Sequence, residues 1–128
     1  MYRTEKELKQ AIQQWARDEY TASSLGTTTC VWPIENSLTT GTPDLIVCIE
    51  GAVAWLELKV GDTGVSPAQF ERIAEWNRAQ GYAFVIRATK DGIFLHDPHE
   101  RTHTGYKDIA ACMDAVYARS EGLGRWED

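Results

Sequence analysis

Two short apolar runs separated by Glu50-Gly51 set the strongest constraint on what this chain can fold into. Leu45-Ile46-Val47-Cys48-Ile49 and Ala52-Val53-Ala54-Trp55-Leu56 are strand-like, and a two-residue spacer ending in glycine predicts a tight antiparallel hairpin between them. The register that pairs Ile49 with Ala52 also sets Asp44 opposite Glu57, with their Cβ atoms about 5 Å apart. Lys59 lies two residues beyond Glu57 and projects on the same face, since strand side chains alternate.

Two carboxylates this close repel unless a cation sits between them. Hard carboxylate oxygens favour Mg²⁺ or Mn²⁺ over thiolate-loving metals, and a lysine beside them can orient a water. Each piece alone is ordinary: Glu-x-Lys is common on solvated strands, and Thr-Pro-Asp opens many turns. Their coincidence on one predicted hairpin favours chemistry.

The residues resemble the PD-(D/E)XK nucleases, and within them the VRR-NUC domains, which occur alone in phages and fused within larger repair nucleases. Gly41-Thr42-Pro43-Asp44-Leu45-Ile46-Val47 is similar to their Gly-x-Pro-Asp-Leu segment, Glu57-Leu58-Lys59 to their Glu-x-Lys, and Ser66-Pro67-Ala68-Gln69 to the Ser-x-x-Gln that opens the next helix. The resemblance implies that Asp44, Glu57 and the Leu58 carbonyl bind the metal, that Lys59 assists the nucleophile and that Gln69 sits beside the site. It implies a DNA endonuclease, with branched DNA such as a Holliday junction as substrate. One site per small chain, with two strands to cut symmetrically, leads to the expectation of a homodimer. One departure concerns Cys30-Val31-Trp32-Pro33-Ile34-Glu35-Asn36, where family members often carry a basic or polar residue.

The family also places a glutamate on its first helix, and here Glu5 and Glu7 compete. Leu8, Ala11, Ile12, Trp15 and Ala16 mark the inward stripe. At helical period Glu5 falls roughly 50° from the stripe centre and Glu7 roughly 110°. Thr4-Glu5-Lys6-Glu7 also fits a capping box that would occupy Glu7, so Glu5 is the choice for the metal site.

The order of elements predicts an α/β fold with a mixed sheet flanked by helices, αβββαβ with a terminal helix, which is also the core order of the resembled family. Helix 1 is expected over about residues 4–19, a strand near 28–34, the hairpin over 43–60 and a second helix from Pro67 to Gly81, with Ser66 as N-cap. A strand at 82–86 would pair parallel with the hairpin. A turn at Asp91-Gly92 leads to Ile93-Phe94-Leu95, and the last helix is expected from Tyr106 to Ala118. At 128 residues and 43% hydrophobic, the chain reads as one domain with a loose tail from about residue 120.

No apolar run nears the roughly 20 residues needed to span a bilayer, so an intracellular protein without a membrane role is expected. Cys30, Cys48 and Cys112 lack metal-site spacing and read as reduced, mostly buried thiols. The net charge of −6 opposes a nucleic-acid role. Local cations such as Arg3, Lys6, Lys9, Arg72, Arg78 and Lys90 answer it in part. Two other classes of function stay open: a silent binding module for nucleic acid or protein, and a nuclease acting on RNA or single strands. His96-Asp97-Pro98-His99 with His103 reads as a polar loop, and Gly61-Asp62-Thr63-Gly64 lacks the lysine of a phosphate-binding loop. Trp15, Trp32, Trp55 and Trp76 read as core or interface, and Trp126 as a tail residue.

Overall fold

The structure is a computed structural model that describes residues 2–22, 29–34, 41–79, 81–98 and 100–121, with 20–22 described by backbone alone. The chain runs α1 (Glu5–Ala22), β1 (Thr29–Pro33), β2 (Leu45–Ile49), β3 (Ala52–Val60), α2 (Pro67–Arg78), β4 (Ala83–Thr89), β5 (Gly92–Asp97), β6 (Thr102–Tyr106) and α3 (Ile109–Ser120). Among the described residues six strands form one sheet, in sequence order. Among the described residues only β3 and β4 pair in parallel, across the α2 crossover, and the other neighbours are antiparallel. The expected αβββαβ order is therefore present in a mixed α/β sheet.

The central hairpin has the predicted register, from Ile49↔Ala52 to Leu45↔Leu56. Glu50 and Gly51 both take positive φ, 49° and 87°, as a type I′ turn demands. Pairing ends one step earlier than predicted. Asp44 does not enter the ladder opposite Glu57: its N–H donates to the Leu56 carbonyl at 3.0 Å, while its own carbonyl accepts from Ile34 at 2.9 Å. Pro43, which has no N–H, cannot carry the ladder further.

Strand alternation gives the sheet two different faces. On one, Leu45, Val47, Leu56, Leu58, Phe84 and Ile86 meet Leu8 and Ile12 of α1 and Met113 and Val116 of α3. On the other, Ile73 of α2 meets Ala83 and Val85, with Trp55, Val65 and Trp76 packed alongside. The result is three layers. Each fully buried Leu, Ile or Phe of the first face contributes about 1.5–3 kcal/mol relative to exposure.

Several expectations need correction. Residues 102–106 form a strand, and α3 starts only at Ile109, capped by Asp108, whose carboxylate accepts from Ala111 N–H at 2.9 Å. Thr-His-Thr-Gly-Tyr alternates half-buried and exposed positions without an apolar face, so neither helical nor strand periodicity was visible. His96 and His103 accordingly stand on paired strands rather than in a loop. Helix α2 ends at Arg78, before Gly81. Trp32 is 67% exposed, and of the thiols Cys30 is exposed, Cys48 half-buried and only Cys112 buried. Burial pushes the Cys112 thiol up to about 12. Glu35, Asn36, His99, Trp126 and the expected loose tail beyond Glu121 lie outside the described residues. Among the described residues no helix is long and apolar enough to cross a membrane.

Candidate active site

β3 outruns β2, and the site forms along that overhang. Glu57 and Lys59 alternate with Leu56 and Leu58, so they point away from the main core toward the face that α2 covers. Both are buried, at 1% and 5% exposure. Opposite them β2 has already ended, and the Leu58 N–H donates instead to Asp44 Oδ2 at 2.8 Å. The N–H and C=O of one strand residue share an edge. The Leu58 carbonyl is therefore turned to the same gap as Asp44.

Gly41 fixes the loop that carries Asp44. Its φ is +85°, and a Cβ there would run into the Ala68 carbonyl group and come within 2.8 Å of Gln69 N. Only glycine fits both the left-handed backbone and the close approach to the start of α2.

Gln69 ties that helix start to the acid. Ser66 Oγ accepts from the Gln69 N–H at 3.1 Å, and Gln69 Oε1 accepts from the Ser66 N–H at 2.9 Å. The reciprocal pair closes a capping box on a helix with proline at its first turn. Since Oε1 is committed as an acceptor, the amide nitrogen must face the other way. Nε2 donates to Glu57 Oε2 at 2.9 Å.

Glu57 is held against ionisation. Burial raises its pKa to about 8, the Asp44 charge and a hydrogen-bonding contact with Asp44 add to this, Lys59 opposes it, and Glu5 adds slightly. As a carboxylate, its Oε1 is buried without a hydrogen-bond partner. Burial is the main reason the acid form is favoured, and in that form the group can also donate to Asp44. A divalent cation between the two carboxylates would satisfy the orphaned oxygen in the proton's place. Two carboxylates and a backbone carbonyl form a hard-oxygen donor set that fits such an ion. Among the described residues no three His, Cys, Asp or Glu side chains gather into a metal cluster by themselves, so backbone and water oxygens would have to complete the shell.

Lys59 Nζ stands 3.7 Å from Glu57 Oε2 and 3.9 Å from Glu5 Oε1. Glu5 thus reaches the site through the lysine. Glu7 is occupied by the helix start: its N–H donates to Thr4 Oγ1 at 3.1 Å, and its carboxylate accepts from Arg3 N–H at 3.5 Å. The Glu7 carboxylate thus stays at the helix start, accepting from Arg3 N–H and from the Thr4 hydroxyl at 3.5 Å rather than from the Thr4 amide, while Glu5 faces Lys59.

Arg87 went unnoticed in the sequence. It pairs with Lys59 across the parallel ladder, and its Nη1 donates to the carbonyls of Gly61 and Thr63, each at 2.7 Å, pinning the loop after the lysine. An arginine inside an apolar run was the available signal, but its target appears only once the β3–β4 register is known.

No family model and no curated protein matches the chain. Among solved structures, the Holliday junction resolvase Hjc of the archaeal hyperthermophile Archaeoglobus fulgidus is similar at a TM-score of 0.48 and 12% identity, over 77% of this chain and 98% of that one. At that depth the likeness says nothing of what this chain acts on.

Proposed function

We propose that this chain is a metal-dependent DNA endonuclease of the VRR-NUC kind, hydrolysing phosphodiester bonds with Mg²⁺ or Mn²⁺. The observation that carries the reading is the geometry at Glu57: a buried carboxyl with one oxygen held by Gln69, the other without a hydrogen-bond partner, Asp44 beside it and Lys59 within 3.7 Å. A purely structural glutamate would not be buried against a second carboxylate without a partner for every oxygen. The motif resemblance across residues 41–69 supports the same reading.

In this reading Asp44, Glu57 and the Leu58 carbonyl would hold the ion, which would supply polarisation of the phosphodiester and stabilisation of transition-state charge. A cation held there would favour Glu57 as the carboxylate. Gln69 keeps the Glu57 carboxylate in one orientation, and the Leu58 N–H does the same for Asp44. Lys59, fixed between Glu57 and Glu5, holds the attacking water in line and offsets the negative charge that develops. Branched DNA, such as a Holliday junction, is the proposed substrate. Cutting two strands symmetrically from chains with one site each calls for a homodimer. The net charge of −6 limits affinity and makes binding strongly salt-dependent.

The test is cleavage of labelled four-way junction, flap, duplex and single-stranded DNA with Mg²⁺ or Mn²⁺, by the native chain and by Glu57→Ala. Metal-dependent cutting that disappears in the variant is expected. Failure of the native chain to cut any DNA would overturn the proposal in favour of RNA cleavage or a silent binding module.

A further inference from the structure

Two cross-strand rows leave the candidate site and run to the far edge of the sheet on the α2 face. Register puts Glu57 beside Val85, Val85 beside His96 and His96 beside His103. In the second row Lys59 stands beside Arg87, Arg87 beside Phe94 and Phe94 beside Gly105. Paired residues share a face, so these side chains make one continuous surface. With strands about 4.8 Å apart, Phe94 lies about 10 Å from Lys59.

Helix α2 covers only the first part of this surface, over Ala83 and Val85. Beyond it His96 and His103 are exposed and Phe94 is half-buried. The Phe94 ring stacks on the His103 imidazole, with centroids 5.2 Å apart and planes within 15°, and His96 meets His103 edge-on at 5.8 Å. Gly105 makes the flat arrangement possible, since a Cβ there would come within 3.0 Å of the Phe94 ring. The ring lies over bare backbone.

Phe70 follows Gln69 and is 61% exposed, facing Arg87, His96 and His103 across a cavity of about 270 Å³. A second cavity, of about 730 Å³, shares Arg87 and His103 with the first and is also lined by Phe94. Its permanent charges are Arg3, Arg87 and Lys90 against Asp62 and Asp91, a positive balance in a chain whose total is −6.

Resting on the nuclease reading, we infer that this surface is a base-stacking platform that takes an unstacked nucleobase of the strand being cut. The base lies against Phe94 and His103, and its phosphate lies toward Arg87 and Lys90. An apolar protein segment here would desolvate the arginine, lysine and imidazoles without compensation. A nucleotide offers a flat π-face and an anion at once, and base–aromatic stacking tolerates any sequence. Continuity with Lys59 through Arg87 sets the platform beside the bond to be cut. Substrates with frayed, flapped or single-stranded segments at the cut are therefore preferred over continuous duplex.

The experiment measures binding of short labelled single-stranded DNA and RNA, intact and with abasic sites, to the Glu57→Gln chain, alone and combined with Phe94→Ala, His103→Ala or Phe94→Tyr. The chain with Phe94 present is expected to prefer the intact strand over the abasic one by about tenfold, Phe94→Ala and His103→Ala to erase that preference, and Phe94→Tyr to keep it. The DNA and RNA arms show which sugar is taken. Circular dichroism melts of each variant establish that it is folded, and Gly105→Ala, which displaces the ring without removing it, repeats the test if Phe94→Ala unfolds. Equal preference for intact over abasic strands with and without Phe94, or no binding of any oligonucleotide, overturns the platform. Metal-dependent cleavage that persists in that case leaves the nuclease reading standing, whereas base-dependent binding without cleavage by the native chain removes the nuclease and keeps the platform.

Discussion

Consecutive residues of β3 meet opposite fates on the two faces of one sheet. Leu56 and Leu58 are fully buried against α1 and α3 in an apolar core, while Glu57 and Lys59 are almost as deeply buried on the opposite face among charges that oppose one another. Packing on the first face asks only for apolar volume. On the second, a buried carboxyl without a full set of partners costs stability, and that cost is confined to the face where α2 gives thin cover. The comparison teaches that the framework and the site are separable by parity along a single strand.

The sharpest break of that comparison is the pair Glu57→Ala and Leu58→Ala. Glu57→Ala is expected to cut nuclease activity about a thousandfold or more, as measured by initial cleavage rates, with a melting temperature unchanged or raised. Leu58→Ala is expected to do the reverse, losing about 2–5 kcal/mol in denaturant titration while its folded fraction still cleaves. A destabilised Glu57→Ala would show that the acid is a structural member after all.

Next in size is Gln69. Gln69→Glu keeps an acceptor for the Ser66 N–H but sets a carboxylate against Glu57 in place of a donor. Cleavage is expected to fall about 10- to 100-fold with little change in α2 helicity by circular dichroism. Equal activity would detach the helix start from the chemistry.

The pH dependence of the metal-free protein follows. Glu57 binds its proton more tightly folded than unfolded, with a folded pKa of about 8 against 4.5. Its protonation therefore stabilises the fold fully below about pH 4.5, and that stabilisation is lost as pH rises through about 8. Thermal melts from pH 5 to 8.5 should show this decline, Glu57→Gln should flatten it, and a saturating divalent cation should offset it.

The smallest effect belongs to the apolar face's own hairpin. Glu50 sits in the left-handed region, which asparagine adopts more easily. Glu50→Asn is expected to raise the melting temperature by about 2–4 °C, less whatever is lost with the Tyr117 hydroxyl bond to Glu50 at 3.2 Å. Activity should not move.

Much of this architecture was legible where short-range periodicity decides the outcome. The hairpin register, the inward stripe of α1, the Ser66 cap and the parity of Glu57 and Lys59 all follow from spacing alone. What escaped depends on contacts distant in sequence. Gly41 reads as a turn glycine until it is seen against Ala68. Arg87 acquires its role only from the loop carbonyls it holds. Strand β6 has no apolar alternation because its half-buried positions are Thr102, Thr104 and Tyr106, and Asp44 leaves the ladder because the proline before it cannot pair.

Gln69 has a consequence for how the protein comes apart. Its amide closes the first turn of α2 with one end and orients Glu57 with the other. Fraying of that turn would release the acid at the same moment, and a ligand that fixes the acid would clamp the turn. Local opening of one helix end is thus an off-switch for the entire site, and the exchange rates of the backbone amides at Gln69 and Phe70 would report how often it is thrown.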